Sequence, residues 1–244
     1  IKLLFILSVA FSGIGMFLLG RVLFGSFGGF LSSMFYLYVP YRLVNLYVRG
    51  SLGESLSFAL FPFLVLAVYK IAKGGSLRWM ALFALLYGSL LLMHNVSALL
   101  FSPFLFVLGI LLALGDKKTK RLSMIRLLSG FVLGVLLASF FLIPAIFEKQ
   151  NIVLSQTKRT YLPNYFATLP QLVLPSWGYE AYGQENGLSV QLGLVHLAAL
   201  LPVALILLQR KRDDKKIVGW FSIASFLLLI FLTLSPSLPF WQNV

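Results

Sequence analysis

The stretch Tyr36–Pro62, YLYVPYRLVNLYVRGSLGESLSFALFP, lies between two strongly apolar runs and sets Arg42, Arg49 and Glu54 among Tyr36, Tyr38, Tyr41 and Tyr47. Charges this close to apolar segments are costly in lipid unless they meet water, a partner or a function. Tyrosine favours the headgroup level, where ring and hydroxyl are both satisfied. The stretch therefore reads as a loop at a membrane surface, lining a polar cleft.

The rest of the chain agrees with a lipid solvent. Of its 244 residues, 59% are hydrophobic and only 11% charged, against about half and about a quarter in soluble domains. The net charge of +13 invites a nucleic-acid reading. The basic residues, however, fall in short connectors between apolar runs, as the positive-inside rule expects, and form no basic face interleaved with aromatics. No nucleic-acid partner is expected. With no cysteine, disulfides, thiolate metal sites and thiol catalysis are excluded. The chain begins at Ile1 without a Met or a signal-peptide pattern and stops at Val244 just after an apolar helix. Both ends are expected to be cuts in a longer protein.

A spanning helix needs about 20 residues. Eight segments approach this: Ile1–Gly20, Phe24–Pro40, Ser55–Ala72, Trp79–Met93, Val96–Leu114, Leu127–Ile146, Val190–Leu208 and Ile217–Ser235. The fourth and fifth meet at His94-Asn95, which reads equally as a polar break in one bent segment. Pro62 is expected to kink the third span. The polar segment Glu148–Ser189 contains LPQLVLPSWGY (Leu169–Tyr179), read as a short helix or turn on the membrane surface. The expected fold is all-α: a polytopic transmembrane helix bundle of about eight spans. It forms a single transmembrane domain over residues 1–244, with an extracytoplasmic loop at 147–189.

With eight alternating spans, 14 of the 20 Lys and Arg residues fall on one side, which the positive-inside rule makes cytoplasmic. The other face then carries residues 41–54, 94–95 and 147–189 together. Asp116, Asp213 and Asp214 stand in the cytoplasmic connectors and are expected only to solvate them. Glu54, Glu148, Glu180 and Glu185 belong to the outer face.

Glu54 opens a membrane helix after RGSLG. A carboxylate there either answers the helix dipole or serves as general base, metal ligand or acceptor-binding group. Arg42 and Arg49 either snorkel to headgroups or recognise a lipid-linked phosphate, which suits a planar, permanent charge. Arg49, five residues before Glu54, is preferred. His94, with Asn95, either terminates a helix or donates to a phosphate. Glu148 either faces the same cleft or ends its helix, and Lys158 and Arg159 are candidates to meet anionic lipid or phosphate. Two histidines, His94 and His196, are too few and badly spaced for zinc. No resident cofactor is implied, a divalent cation being the one candidate. Walker, GxSxG and HExxH motifs are absent.

The motifs PY and YVRGSLGES within 40–55, LLMHNVSALLF at 91–101, FLIPAIFEK at 141–149 and SPSLPFWQNV at 235–244 resemble bacterial polytopic membrane proteins. These are the 6-pyruvoyl-tetrahydropterin synthase-related proteins, akin to YfhO-like proteins, a group that is similar to GT-C class glycosyltransferases. No pterin chemistry is expected, because the zinc-binding histidine set is missing. The resemblance implies transfer of a sugar from a polyprenyl-phosphate donor to a lipid or polymer acceptor, on the outer face of a bacterial plasma membrane. It implies an acidic residue in a first outer loop, expected upstream of Ile1. The polar positions that match are Arg49, Glu54, His94 and Asn95. Glu54 and His94 are the catalytic candidates; Arg42, Arg49, Asn95, Glu148 and Arg159 are the substrate-binding ones. A transporter or lipid flippase, or a non-catalytic assembly subunit, is the rival class. Paired broken helices with intramembrane charge would favour the transporter.

Overall fold

The computed structural model describes residues 1–115, 118–148, 166–180, 187–208 and 214–242. Lys158, Arg159, Glu185, Asp116 and Asp213 lie outside the described residues. The chain divides into two compact units. The first comprises Ile1–Leu37, Ser51–Ala145 and Arg212–Val218; the second comprises Tyr38–Gly50, Ile146–Lys211 and Gly219–Val244.

In the first unit α3 (Leu52–Ala72) is the hub, touching α1 (Lys2–Leu37), α4 (Leu77–Met93), α5 (Asn95–Gly115) and α6 (Lys120–Leu137). Leu64, Val68 and Ile71 of α3 meet Phe83, Tyr87 and Leu90 of α4, Leu105 of α5 and Leu127 of α6 in one buried cluster. Lipid tails are as apolar as these side chains, so close packing rather than escape from water must hold the helices together. Gly134 of α6 makes that packing possible against α4. A Cβ there would stand 2.7 Å from Tyr87 Cδ1 and 3.1 Å from the Ala84 carbonyl oxygen.

α1 is a hairpin, not a rod. Its helical geometry is interrupted at Gly25, whose φ of 80° belongs to the region that glycine alone enters cheaply. Residues 26–37 then run back along residues 13–24. The Ser33 hydroxyl donates to the Gly13 carbonyl at 2.9 Å, and a Cβ on Gly20 would sit 2.9 Å from Gly29 Cα. The returning arm is about 18 Å long at 1.5 Å per residue.

Pro62 lies buried inside α3. It has no N–H for the Phe58 carbonyl four residues back, and in lipid a freed carbonyl finds no water. The Tyr36 hydroxyl donates to that oxygen at 2.7 Å. This tyrosine serves the helix bundle rather than the headgroup layer.

At the far end of α3, Gly74 and Gly75 turn the chain into α4, with the Gly75 N–H on the Lys70 carbonyl at 2.8 Å. Arg126 of α6 donates to the Gly74 and Gly75 carbonyls, a favourable place for a cation. Lys73 pairs with Asp214 at 2.6 Å, and the Tyr69 hydroxyl reaches the same carboxylate at 3.2 Å. Asp214 therefore ties two helix ends together, where the sequence suggested only a solvated charge. Lys73, Arg126 and the start of α11 (Asp214–Thr233) thus belong to one end of this unit.

α6 stops at Ala138, and α7 (Ser139–Glu148) leaves at a bend of 69°. The Ser139 hydroxyl donates to the Leu136 carbonyl at 2.7 Å across the break.

The second unit holds α2 (Pro40–Val44), a π-turn (Asn45–Arg49), α8 (Leu169–Val173), α9 (Leu194–Ala198), α10 (Leu200–Leu208) and the later part of α11. A 3₁₀ turn (Ser235–Ser237) and α12 (Leu238–Gln242) end it. Gln171 reaches back to the Thr168 N–H at 2.8 Å, closing the start of α8 within the Leu169–Tyr179 segment. The strip leading to α9 is extended, with the Leu192 N–H on the Leu172 carbonyl at 2.9 Å. The tail folds back onto α11, where the Trp241 indole N–H donates to the Leu232 carbonyl at 2.9 Å.

Among the described residues four helices are long and apolar enough to cross a membrane, Lys2–Leu37, Leu52–Ala72, Asn95–Gly115 and Asp214–Thr233. The bent pair of α6 and α7 makes five if counted as one span. The expected eight is not reached, for reasons of length. The returning arm of α1 is short, α4 has 17 residues and covers only about 26 Å, and the expected seventh span is split into α9 and α10. His94-Asn95 separates two helices rather than bending one. Tyr87 of α4 and Ser102 of α5 share a hydrogen bond of 2.8 Å, so the pair folds back as a hairpin.

Two measurements test this bundle. A Gly13→Cys, Ser33→Cys pair should form a disulfide under mild oxidation in the otherwise cysteine-free chain, because a Cβ at 13 lies 3.4 Å from Ser33 Oγ. In a straight helix the two positions would stand about 30 Å apart and no crosslink would form. Tyr36→Phe should lower stability in detergent by about 1–3 kcal/mol. In a Pro62→Ala background, where an N–H is restored, the same change should cost much less; equal costs would separate Tyr36 from the proline.

Candidate functional site

The polar stretch around Arg49 and Glu54 belongs to both units, and each part has its own geometry. In the first unit, α3 begins at Leu52, earlier than expected, so that Glu54 sits within its first turn. The dipole favours a carboxylate there, and Glu54 is buried. Gly53 brings this turn against the α4–α5 junction. A Cβ on Gly53 would stand 2.7 Å from the Met93 carbonyl oxygen and 3.5 Å from His94 Cδ2. A larger residue would push the two apart. Glu54 and the His94-Asn95 pair, distant in sequence, thus belong to one end of the bundle, opposite the Lys73–Asp214 end of α3.

His94 serves two helices at once. Its N–H donates to the Leu90 carbonyl at 3.1 Å, closing α4, and its carbonyl accepts from the Ala98 N–H at 3.0 Å, opening α5. The side chain works as a cap: Nδ1 accepts the Ser97 N–H at 3.1 Å and lies 2.8 Å from Ser97 Oγ. A ring nitrogen that accepts from a backbone N–H carries no proton, so a neutral His94 holds its proton on Nε2. That assignment follows from the hydrogen bonds. It leaves Nε2–H as a donor and removes Nδ1 as a base. Asn95 is exposed, and its Oδ1 accepts the Val96 N–H at 2.9 Å.

In the second unit the two arginines part company. Arg42, on α2, is 2% exposed beside the fully buried Asn45, whereas Arg49 is exposed. A buried guanidinium has its charge committed inside the protein, whereas the Arg49 side chain reaches the surface. It ends the π-turn, a device common at functional sites, and Gly50 follows at φ 60°. Arg49 Nη1 donates to the Tyr41 hydroxyl at 2.5 Å, with the guanidinium carbon 5.8 Å from the ring centroid. Glu148 is the exposed last residue of α7, and Glu180 is exposed and bridged to Gly187.

The same unit contains a cavity of about 560 Å³. Tyr41, Phe166, Leu172, Phe226, Ile230 and Trp241 supply much of its wall. No local pattern in the sequence announces it because its wall comes from five separated segments; the cue present was the aromatic character of Phe166 and of the PFW tail. Among the described residues no three His, Asp or Glu side chains come together as a metal site would require.

Long apolar helices, carbonyls satisfied inside the bundle and polar groups gathered at helix ends define a helical integral-membrane protein. Over residues 1–244 the chain matches the family described as "6-pyruvoyl-tetrahydropterin synthase related domain; membrane protein", and it belongs to that family. No curated protein and no solved structure matches it.

The cap can be tested directly. His94→Ala should lower the stability of the protein in detergent by about 1 kcal/mol, as cap losses do, and His94→Asn should recover most of it. Equal stability of all three forms would remove His94 from that role.

Proposed function

We propose that the protein is a GT-C-type transferase of the bacterial plasma membrane. It would move a sugar from a polyprenyl-phosphate donor to a lipid or polymer acceptor, with residues 41–54, 94–95 and 147–189 outside the cytoplasm. The observation that carries the reading is the meeting of the Glu54 turn with the His94 junction. It gathers a buried carboxylate and a fixed N–H donor at the end of α3 opposite Lys73 and Arg126. Basic connectors favour the cytoplasm, which leaves the Glu54 end for the opposite face. Membership of a membrane-protein family supports the setting.

In this reaction the acceptor hydroxyl oxygen attacks the anomeric carbon while the bond from that carbon to the donor phosphate oxygen breaks. The hydroxyl proton passes to the Glu54 carboxylate, acting as general base. The departing lipid phosphate takes up negative charge, which a fixed N–H such as His94 Nε2–H is suited to stabilise. Arg49, in the second unit, stays a phosphate-binding candidate by the chemistry of its planar fork. Arg42, Asn95, Glu148 and Arg159 stay candidates for substrate contact. A divalent cation is not required by these roles.

Glu54→Gln keeps size and hydrogen bonding but cannot take a proton. It should reduce sugar transfer from a polyprenyl-phosphate donor by about 10²–10⁴-fold, with expression and thermal midpoint retained. Transfer at the unsubstituted rate would take Glu54 out of the chemistry.

A further inference from the structure

The cavity of the second unit has a hydrocarbon character that its polar residues do not disturb. Its wall holds two polar side chains beside Tyr41, Gln191 and Thr233. Gln191 Nε2 donates to the Ser176 carbonyl at 2.7 Å, and the Thr233 hydroxyl donates to the Ile230 carbonyl at 2.7 Å. Each of the two thus has a donor turned to a backbone carbonyl, and the rest of the lining is mainly aliphatic and aromatic, so the interior favours apolar atoms. Its volume falls within the range of small-molecule sites, about 300–1,000 Å³, which suits part of one chain better than the paired chains of a bilayer phospholipid.

One wall is different. Tyr41 is part of the lining, and its hydroxyl accepts a hydrogen bond from the exposed Arg49. A permanent, planar charge is thus held within one hydrogen bond of an apolar chamber. Arginine in that position favours a phosphate, which it can grip through two N–H groups. An apolar chamber with a guanidinium beside it complements an amphiphile with one tail and an anionic head.

We infer that this cavity takes the hydrocarbon end of a single-chain lipid phosphate, with its phosphate on Arg49. Naming that lipid as the polyprenyl phosphate of the donor rests on the transferase reading; the pairing of cavity and charge does not. Tyr41 has two duties, lining the chamber and fixing Arg49 with its hydroxyl.

The test uses the full protein in nanodiscs and a polyprenyl phosphate carrying a photoactivatable group along its chain. After irradiation, label should appear on peptides containing residues 166–172 and 226–233. Unlabelled polyprenyl phosphate should compete, and an equal excess of phosphatidylglycerol should not. Ala167→Trp, which fills the chamber, and Arg49→Glu should each reduce labelling by about tenfold or more, as loss of a charged hydrogen bond would. Tyr41→Phe, which keeps the ring and the packing, should reduce it severalfold and guards against reading a misfolded variant as lost binding. Label elsewhere, equal competition by phosphatidylglycerol, or labelling that survives all three substitutions would overturn the assignment. Labelling with the expected pattern in a protein that transfers no sugar would leave the site standing and remove the transferase reading.

Discussion

A backbone carbonyl or N–H released where a membrane helix bends or stops has no water to bind, and each one left bare costs several kcal/mol. The interruptions in this chain are organised by that constraint. The carbonyl orphaned by Pro62 receives the Tyr36 hydroxyl, the C-terminal carbonyls of the α3–α4 turn receive Arg126, and Ser139 crosses the break after Ala138. The Ser123 hydroxyl reaches the Ala72 carbonyl at 3.2 Å. At these four places a polar side chain stands where helical hydrogen bonding fails, and its partner lies in another helical segment or turn. The same bonds that repair one helix therefore dock it to its neighbour.

Close approach supplies the second condition. Without a hydrophobic force between helices in lipid, contact depends on backbones coming near enough for dispersion to accumulate. Gly20 against Gly29, Gly53 against the Met93 carbonyl and Gly134 against Tyr87 are the places where a methyl group would already collide. Gly53 carries this packing rule to the polar end of the bundle, because its approach sets Glu54 beside the α4–α5 junction.

Much of this was legible in the sequence, to different depths. Apolar runs announced helices in lipid, and the break between Arg21 and Phe24 anticipated the reversal at Gly25. The number of spans was not legible, because a run of apolar residues fixes solvent preference but not helix length. A returning arm about 18 Å long and a helix split at Ala199 have the same composition as full spans. Asp214 read as a solvated connector charge because its partners, Lys73 and Tyr69, are more than a hundred residues away. Arg42 and Arg49 looked alike in one loop, and only their burial separates them. The cavity was invisible for the same reason as the Asp214 contact: Phe166, Phe226 and Trp241 have no local pattern that brings them together.

The polar residues can now be sorted by what the fold already asks of them. Tyr36, Arg126 and Asp214 act as structural partners, and changes there should act on stability first. His94 is divided: Nδ1 belongs to the cap of α5, and only the Nε2–H side is available to a ligand. That division limits its chemistry to donation, since drawing Nδ1 into proton transfer would uncap the helix that positions it. Glu54 differs in kind. It is buried in the first turn of α3, a place that suits a carboxylate. One placement at the start of one helix therefore answers the α3 dipole and sets Glu54 at the α4–α5 junction, because Gly53 beside it leaves no room for a side chain.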